Sequence, residues 1–193
     1  MSQEEVVIAS ATRTPVGCFQ GAFSSLSASD PGALVVREAV KRAGATPEVV
    51  DAVIMGHVLS AGMGRAPAHQ CVIKEDFPVS TGAVTVNKVC GSGLQTVMYA
   101  RREIMIGEAD VVVAGGMESM TNAPYIIPNA RAGLRLGDAE IVDSMILDGL
   151  WDPYDNMHMG VCGDLVAEKC GFSREDQDEF AATSYRRALA AQK

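Results

Sequence analysis

Apolar, often β-branched residues recur in short runs along the first part of the chain, at positions 5–10, 52–59, 83–89 and 110–115. Each run has the length and composition of a buried strand. The segments between them follow a helical period instead. The first is punctuated by Asp30 as an N-cap, Pro31 in the first turn, apolar Leu34, Val35, Ala39 and Val40 along one side, and Gly44 as a stop. Further helices are predicted over residues 67–74 and 94–106. Continuous apolar strands alternating with helices predict an α/β fold with a mainly parallel sheet covered on both faces.

Beyond Gly115-Gly116-Met117-Glu118-Ser119-Met120 the pattern changes. Pro124, Pro128, Gly133, Gly137 and Pro153 interrupt a region in which no strand is predicted. Helices are expected over 139–147 and 161–169, and a longer one from Ser173, where Ser-Arg-Glu-Asp has the form of a capping box. That last pattern carries Phe180, Ala181, Tyr185 and Leu189 and runs to the final residue without a C-capping glycine, an expectation of a fold continued elsewhere. The division expected is an α/β unit over residues 1–119 and a helical, loop-rich excursion over 120–193.

A chain of 193 residues with 48% hydrophobic content can bury a substantial core. Its net charge of −8 argues against non-specific binding to nucleic acid or anionic membrane, which needs clustered Lys and Arg, but leaves room for a locally bound anion. No apolar run reaches the length of a membrane span, because Asp51, His57, Lys74, Arg101 and Asp110 break the sequence. Five cysteines, an odd number without Cys-x-x-Cys spacing or a leading signal segment, favour a reducing compartment, with the cytoplasm as the expectation.

Of those cysteines Cys90 stands apart. It lies in Asn87-Lys88-Val89-Cys90-Gly91-Ser92-Gly93, between a predicted strand and a predicted helix. At a helix start the unpaired N–H groups and the macrodipole favour negative charge on the sulfur, and flanking glycines let backbone donors approach a bound carbonyl oxygen. Cys18, Cys71, Cys162 and Cys170 have no such setting and read as small hydrophobes. His57 and His69 lie outside any catalytic motif, and His69-x-Cys71 is too sparse for a metal site.

Taken in order, several segments resemble the N-terminal half of a thiolase, an acetyl-CoA acetyltransferase or 3-ketoacyl-CoA thiolase. They are Ala11-Thr12-Arg13-Thr14-Pro15-Val16-Gly17, Gly56-His57-Val58-Leu59, the Cys90 motif, Val113 to Met120, Met145 to Leu150, His158-Met159-Gly160 and Ser173 to Gln177. The His-Met-Gly and Gly-Gly-Met-Glu-Ser-Met segments favour CoA-dependent thiolases over carrier-dependent ketoacyl synthases. The resemblance implies a condensing-enzyme half: residues 1–119 as most of an α/β core, and residues 120–193 as the start of a loop domain that covers substrate.

The same resemblance implies the chemistry. Cys90 would attack the carbonyl of acetyl-CoA or a 3-ketoacyl-CoA and carry the acyl group as a thioester, in thiolysis or in Claisen condensation. Its own backbone N–H would stabilise the oxyanion, with Gly91 and Gly93 either baring further donors or serving only as turn glycines. His158, Met159 and Leu150 would touch the CoA pantetheine or the acyl end, although a loop histidine with a local hydrogen bond is the competing reading of His158. CoA enters as substrate and product, and no metal takes part. The histidine base in Gly-His-Pro, its Asn-Glu-Ala-Phe support and a second cysteine in Cys-x-Gly are not found in this sequence, so a complementary C-terminal half is the implied partner, within a homo-oligomer of complete units. The alternative is a non-catalytic acyl-CoA-binding half. Thr96, where the family more often has alanine, and the bulky Trp151-Asp152-Pro153-Tyr154 depart from the family pattern.

Overall fold

Three of the four apolar runs become strands, and they do so side by side. The structure, a computed structural model, describes residues 5–192. β1 (Ala52–Gly56) pairs in parallel with β2 (Gly82–Val86) on one side and β3 (Val112–Gly116) on the other, giving the order β2-β1-β3. Val53, Ile54 and Met55 of the central strand are almost sealed from solvent, which is why that run is continuously apolar rather than alternating. Gly56 is in register with both Val86 and Gly116. The three strands therefore finish level, and the segments that leave them emerge along one edge of the sheet.

Helices cover both faces. α1 (Ser29–Arg42) and α2 (Pro67–Lys74) pack on one, with Val36, Val40, Ala68, Cys71 and Val72 gathered against Val53 and Met55. α3 (Ser92–Met105) crosses the other face, and at its start backbone meets backbone. A Cβ placed on Gly56 would stand 2.8 Å from Gly93 N, from Ser92 C and from Ser92 Cβ. Buried Thr96 ties the same turn to the sheet, its Oγ1 lying 2.7 Å from Gly93 O and 3.0 Å from Gly115 O.

The strand expected at residues 5–10 does not form. A strand needs a ladder, and this segment finds none; Val7 and Ile8 are exposed, and the stretch is held along α1 by side chains, Ser10 Oγ donating to Ala39 O and Thr12 Oγ1 to Val35 O. β1 stops at Gly56 rather than continuing to Leu59, because the Val58 and Leu59 N–H groups donate to Glu118 instead of to a neighbouring strand. β2 stops at Val86 because the Val89 N–H donates to the Asn87 side chain. Asp30 is not the N-cap of α1. It lies within the first turn and its Oδ2 accepts from the Ser27 N–H and hydroxyl, both at 2.7 Å.

Two compact units follow one another, with the boundary between Gly149 and Leu150. Beyond the sheet, the first contains a short antiparallel pair, β4 (Tyr125–Ile126) with β5 (Val142–Asp143), and then α4 (Ser144–Gly149). Strand pairing at residues 142–143 thus replaces the start of the helix expected over 139–147. The second unit opens with another such pair, β6 (Trp151–Asp152) with β7 (Met157–His158), also unforeseen where no strand was predicted. Two-residue pairs are too short to leave a periodic signal. α5 (Met159–Cys170) and α6 (Arg174–Ala191) complete it, and the Ser173–Asp176 capping box forms reciprocally as the sequence predicts.

The approach of α3 to β1 yields a stability prediction. Gly56→Ala puts a methyl group into backbone that has no flexible neighbour to yield, and is expected to cost about 1–3 kcal/mol, read as a lowered urea midpoint with an unchanged slope.

Candidate active site

The chain leaving β2 makes a tight loop before α3, and polar groups fix nearly every atom of it. Asn87 Oδ1 accepts the Val89 N–H at 2.9 Å, and Lys88 O accepts the Gly91 N–H at 3.1 Å. Ser92, buried, accepts the Lys88 N–H on its hydroxyl at 2.8 Å and donates that hydroxyl to Val89 O at 2.6 Å. Its own N–H also donates to Val89 O, at 3.0 Å. Outside the loop proper, Lys88 Nζ donates to Gln95 Oε1 on the next turn of α3 at 2.9 Å. Of the amides from Lys88 to Ser92, only that of Cys90 is left without an acceptor among the described residues.

Val89 takes φ 47° to make this turn, a conformation that β-branched residues rarely adopt and that costs on the order of 1–3 kcal/mol. Cys90 comes next, exposed at the tip, with Gly91 as the N-cap of α3. Neither Gly91 nor Gly93 has a positive φ, and a Cβ on Gly93 would meet nothing within 4 Å. Their effect is to leave the surface beside Cys90 bare. Cys90, Gly91 and Gly93 are thus brought together at the edge where the strands end, the position at which open α/β sheets place their ligands.

Glu118, just past β3, ties the neighbouring strand ends. Its two carboxylate oxygens accept the Val58 N–H at 2.9 Å and the Leu59 N–H at 3.1 Å. His57, whose side chain is 1% exposed, lies with Nε2 3.0 Å from Glu118 Oε1, a close contact without hydrogen-bond alignment, so both ring nitrogens lack an aligned partner. For Glu118, burial pulls toward the neutral acid, but His57 and the two backbone N–H groups outweigh it and hold the carboxyl below its ordinary value. The sequence marks this glutamate only as part of the Gly-Gly-Met-Glu-Ser-Met segment; the available signal was an acidic residue directly behind an apolar strand. Asn87 was likewise visible as a polar neighbour of Cys90, without a role.

Of the four cysteines read as small buried hydrophobes, only Cys71 is buried; Cys162 is half-buried, and Cys18 and Cys170 are exposed, because apolar neighbours in sequence do not ensure burial in the fold. Burial pushes the Cys71 thiol up to about 11, with Lys74 opposing, and its Sγ lies 3.5 Å from Met117 Sδ. It is a core residue, as its sequence setting suggested. In the second unit Leu150, His158 and Met159 are neighbours, the Met159 N–H donating to Leu150 O at 2.8 Å. His158 caps α5, its Nδ1 accepting the Gly160 N–H at 2.9 Å. Among the described residues no group of three or more His, Cys, Asp or Glu side chains is disposed to hold a metal ion, and no helix is long and apolar enough to cross a membrane.

Residues 6–193 match the family described as thiolase, N-terminal domain. The chain belongs to the thiolase family. It is 52% identical over 189 residues to an acetyl-CoA acetyltransferase of Cupriavidus necator, covering 98% of this chain and 48% of that protein. A second acetyl-CoA acetyltransferase, from Pseudomonas aeruginosa, is 50% identical over 188 residues, covering 97% of this chain and 48% of the relative. Among solved structures, the Acat5 thiolase from Ascaris suum in complex with coenzyme A superposes with a TM-score of 0.92 at 38% identity, over 96% of this chain and 48% of that one. The α/β fold is therefore that of a thiolase N-terminal half, and the chain spans about half the length of the thiolases it matches.

For this thiolase-family chain the Glu118 contacts predict acid sensitivity of known sign. A carboxyl whose folded pKa is depressed adds stability that is present above its unfolded value, here taken as 4.5, and is lost as pH falls through the folded value. Glu118→Gln, which can accept only one of the two N–H groups on its single carbonyl oxygen, is expected to lower stability by about 1–3 kcal/mol near neutral pH. In urea titrations across pH that deficit should shrink once the pH drops below about 4.5.

Proposed function

We propose that this chain is the nucleophile-bearing half of a CoA-dependent acyltransferase of the thiolase type. The observation that carries the reading is Cys90, exposed at the tip of a fully braced loop with the one uncommitted amide of that loop being its own. The thiolate attacks the carbonyl carbon of an acyl-CoA. A carbon–sulfur bond forms to Cys90, negative charge gathers on the carbonyl oxygen near the Cys90 N–H, and the bond to CoA then breaks, CoA leaving as its thiolate. With a 3-ketoacyl-CoA the thiolate attacks the 3-keto carbon and the C2–C3 bond breaks instead; the departing enolate takes up a proton to become acetyl-CoA, and the shortened acyl group stays on sulfur. A second CoA then collects it. In the reverse sense, the enolate of a second acetyl-CoA attacks acetyl-Cys90.

The histidine base that serves Cys90 and the second cysteine that handles the α proton come from a complementary C-terminal half. Supporting this, the chain spans 48% of its acetyl-CoA acetyltransferase relatives. An apolar stripe on α3 also lies uncovered, with Leu94 70% exposed and Val97 and Met98 beside it at helical spacing. Complete units assemble as a homo-oligomer. Residues 120–193 begin the substrate-covering loop domain, in which Leu150, His158 and Met159 contact the pantetheine arm or acyl end. Because the His158 Nδ1 already serves α5, its Nε2 is the atom left for such a contact. CoA is the only cofactor-like molecule required, as substrate and product, and five free cysteines suit a reducing, cytoplasmic setting.

The test is acylation. The natively purified protein, with any polypeptide that accompanies it, is expected to gain one acetyl group on Cys90 from acetyl-CoA, located by peptide mass spectrometry, and to cleave acetoacetyl-CoA when CoA is added. Cys90→Ala should lower cleavage by several orders of magnitude. Acetyl-CoA binding without any acetyl mass on Cys90 would point instead to a non-catalytic acyl-CoA-binding half.

A further inference from the structure

We infer that Asn87 is a positioning residue for acyl transfer: its carboxamide fixes the Lys88–Val89 peptide, and with it the left-handed turn at Val89 through which the Cys90 N–H comes to face the incoming carbonyl oxygen. This rests on the acyl-transfer reading of Cys90 given above.

In a planar trans peptide the C=O and the N–H point in opposite directions. The Val89 C=O is drawn toward α3, where it accepts the Ser92 hydroxyl at 2.6 Å and the Ser92 N–H at 3.0 Å. The Cys90 N–H of the same peptide must therefore point away from the helix, out of the loop. Between the peptide held by Ser92 and the one before it, Val89 takes φ 47°, the left-handed turn that a β-branched side chain disfavours. What fixes the other end of Val89 is Asn87, whose Oδ1 takes the Val89 N–H at 2.9 Å. A side-chain acceptor two residues back is the local device that stabilises such a turn.

Asn87 is itself steadied from the adjoining strand end. Its Nδ2 reaches Val58 O at 3.4 Å, and Val58 belongs to the segment whose N–H groups are held by Glu118. One carboxamide thus links the end of β1 to the loop after β2. The oxyanion donor is aimed by contacts that involve neither the sulfur nor a bound substrate, so a role in orientation can be separated from a role in thiol reactivity.

Two reactions of Cys90 make that separation. Acetylation by acetyl-CoA passes through a tetrahedral oxyanion and needs the donor; alkylation by iodoacetamide displaces iodide directly at carbon and forms no oxyanion. Both are to be followed by peptide mass spectrometry on the natively purified protein with any accompanying polypeptide, as wild type, Asn87→Ala and Asn87→Ser. Buried Cys71 serves in every sample as an internal report of unfolding.

Asn87→Ala is expected to slow acetylation about a hundredfold, the scale of a misplaced catalytic group, while alkylation stays within about threefold and Cys71 stays unmodified. Asn87→Ser, whose hydroxyl still offers an acceptor to the Val89 N–H, should recover most of the acetylation. Acetylation at the wild-type rate in Asn87→Ala would overturn the positioning role alone. So would equal losses in the two reactions, alkylation of Cys71 in the variant, or no recovery in Asn87→Ser. A wild-type protein that alkylates at Cys90 but never acetylates would overturn the acyl-transfer reading, and the positioning role with it.

Discussion

The contact between the start of α3 and the end of β1 is the constraint from which the rest of the site follows. Gly56 meets the backbone of Ser92 and Gly93 at a distance that leaves no room for a side chain, and Gly116 on the adjoining strand lies in ordinary contact with Gly93. The connection from β2 to this closely packed helix is short, residues 87–91. The chain has to turn sharply between Val86 and Ser92, and the turn is tight enough to force Val89 into a left-handed conformation. Cys90 then falls at the outermost point of the turn, with its sulfur free and its amide uncommitted.

Polar groups stabilise what close packing imposes. Ser92 holds the inner side of the loop, Asn87 the side toward β2, and Thr96 joins the first helical turn to β3. Glu118 does similar work for the strand end beside it. Ser92 and Thr96 are buried, and their bonds occupy groups that would otherwise be desolvated without a partner, whereas Asn87 and Glu118 brace their amides from the more exposed side. Their combined effect is a braced frame around the exposed Cys90 thiol, an arrangement suited to a site where an oxyanion donor must be in place before the substrate arrives. The buried His57 is the exception, since its ring finds contact with Glu118 but no aligned hydrogen bond.

Family membership gives the frame its chemical context. Thiolase relatives extend about twice as far as this chain, and the uncovered apolar side of α3 is the kind of surface that a second half would bury. The loop around Cys90 is complete in itself, whereas the proton transfers of the proposed reaction are not. The proposed nucleophile and oxyanion donor are local features of one turn; bases that serve them can be delivered from another polypeptide segment.

Much of this was legible in the residues. The central strand, the helices on both faces and the exceptional setting of Cys90 follow from apolar periodicity and from glycines at a strand-to-helix junction, because those patterns are dictated by local geometry. The capping box at Ser173 was equally plain, since its partners lie three residues apart. The segment at 5–10 has strand composition but no strand partner, and composition cannot report whether a ladder is available. The ends of β1 and β2 were misjudged because side chains distant in sequence, or turned back on the chain, took the amides. The sequence by itself singled out Cys90 as the candidate nucleophile and determined what kind of fold carries it. Only the tertiary structure decided which strand-end amides are taken, since that depends on Glu118 meeting Val58 and Leu59, and Asn87 meeting Val58, across folded backbone, distances that no residue pattern encodes.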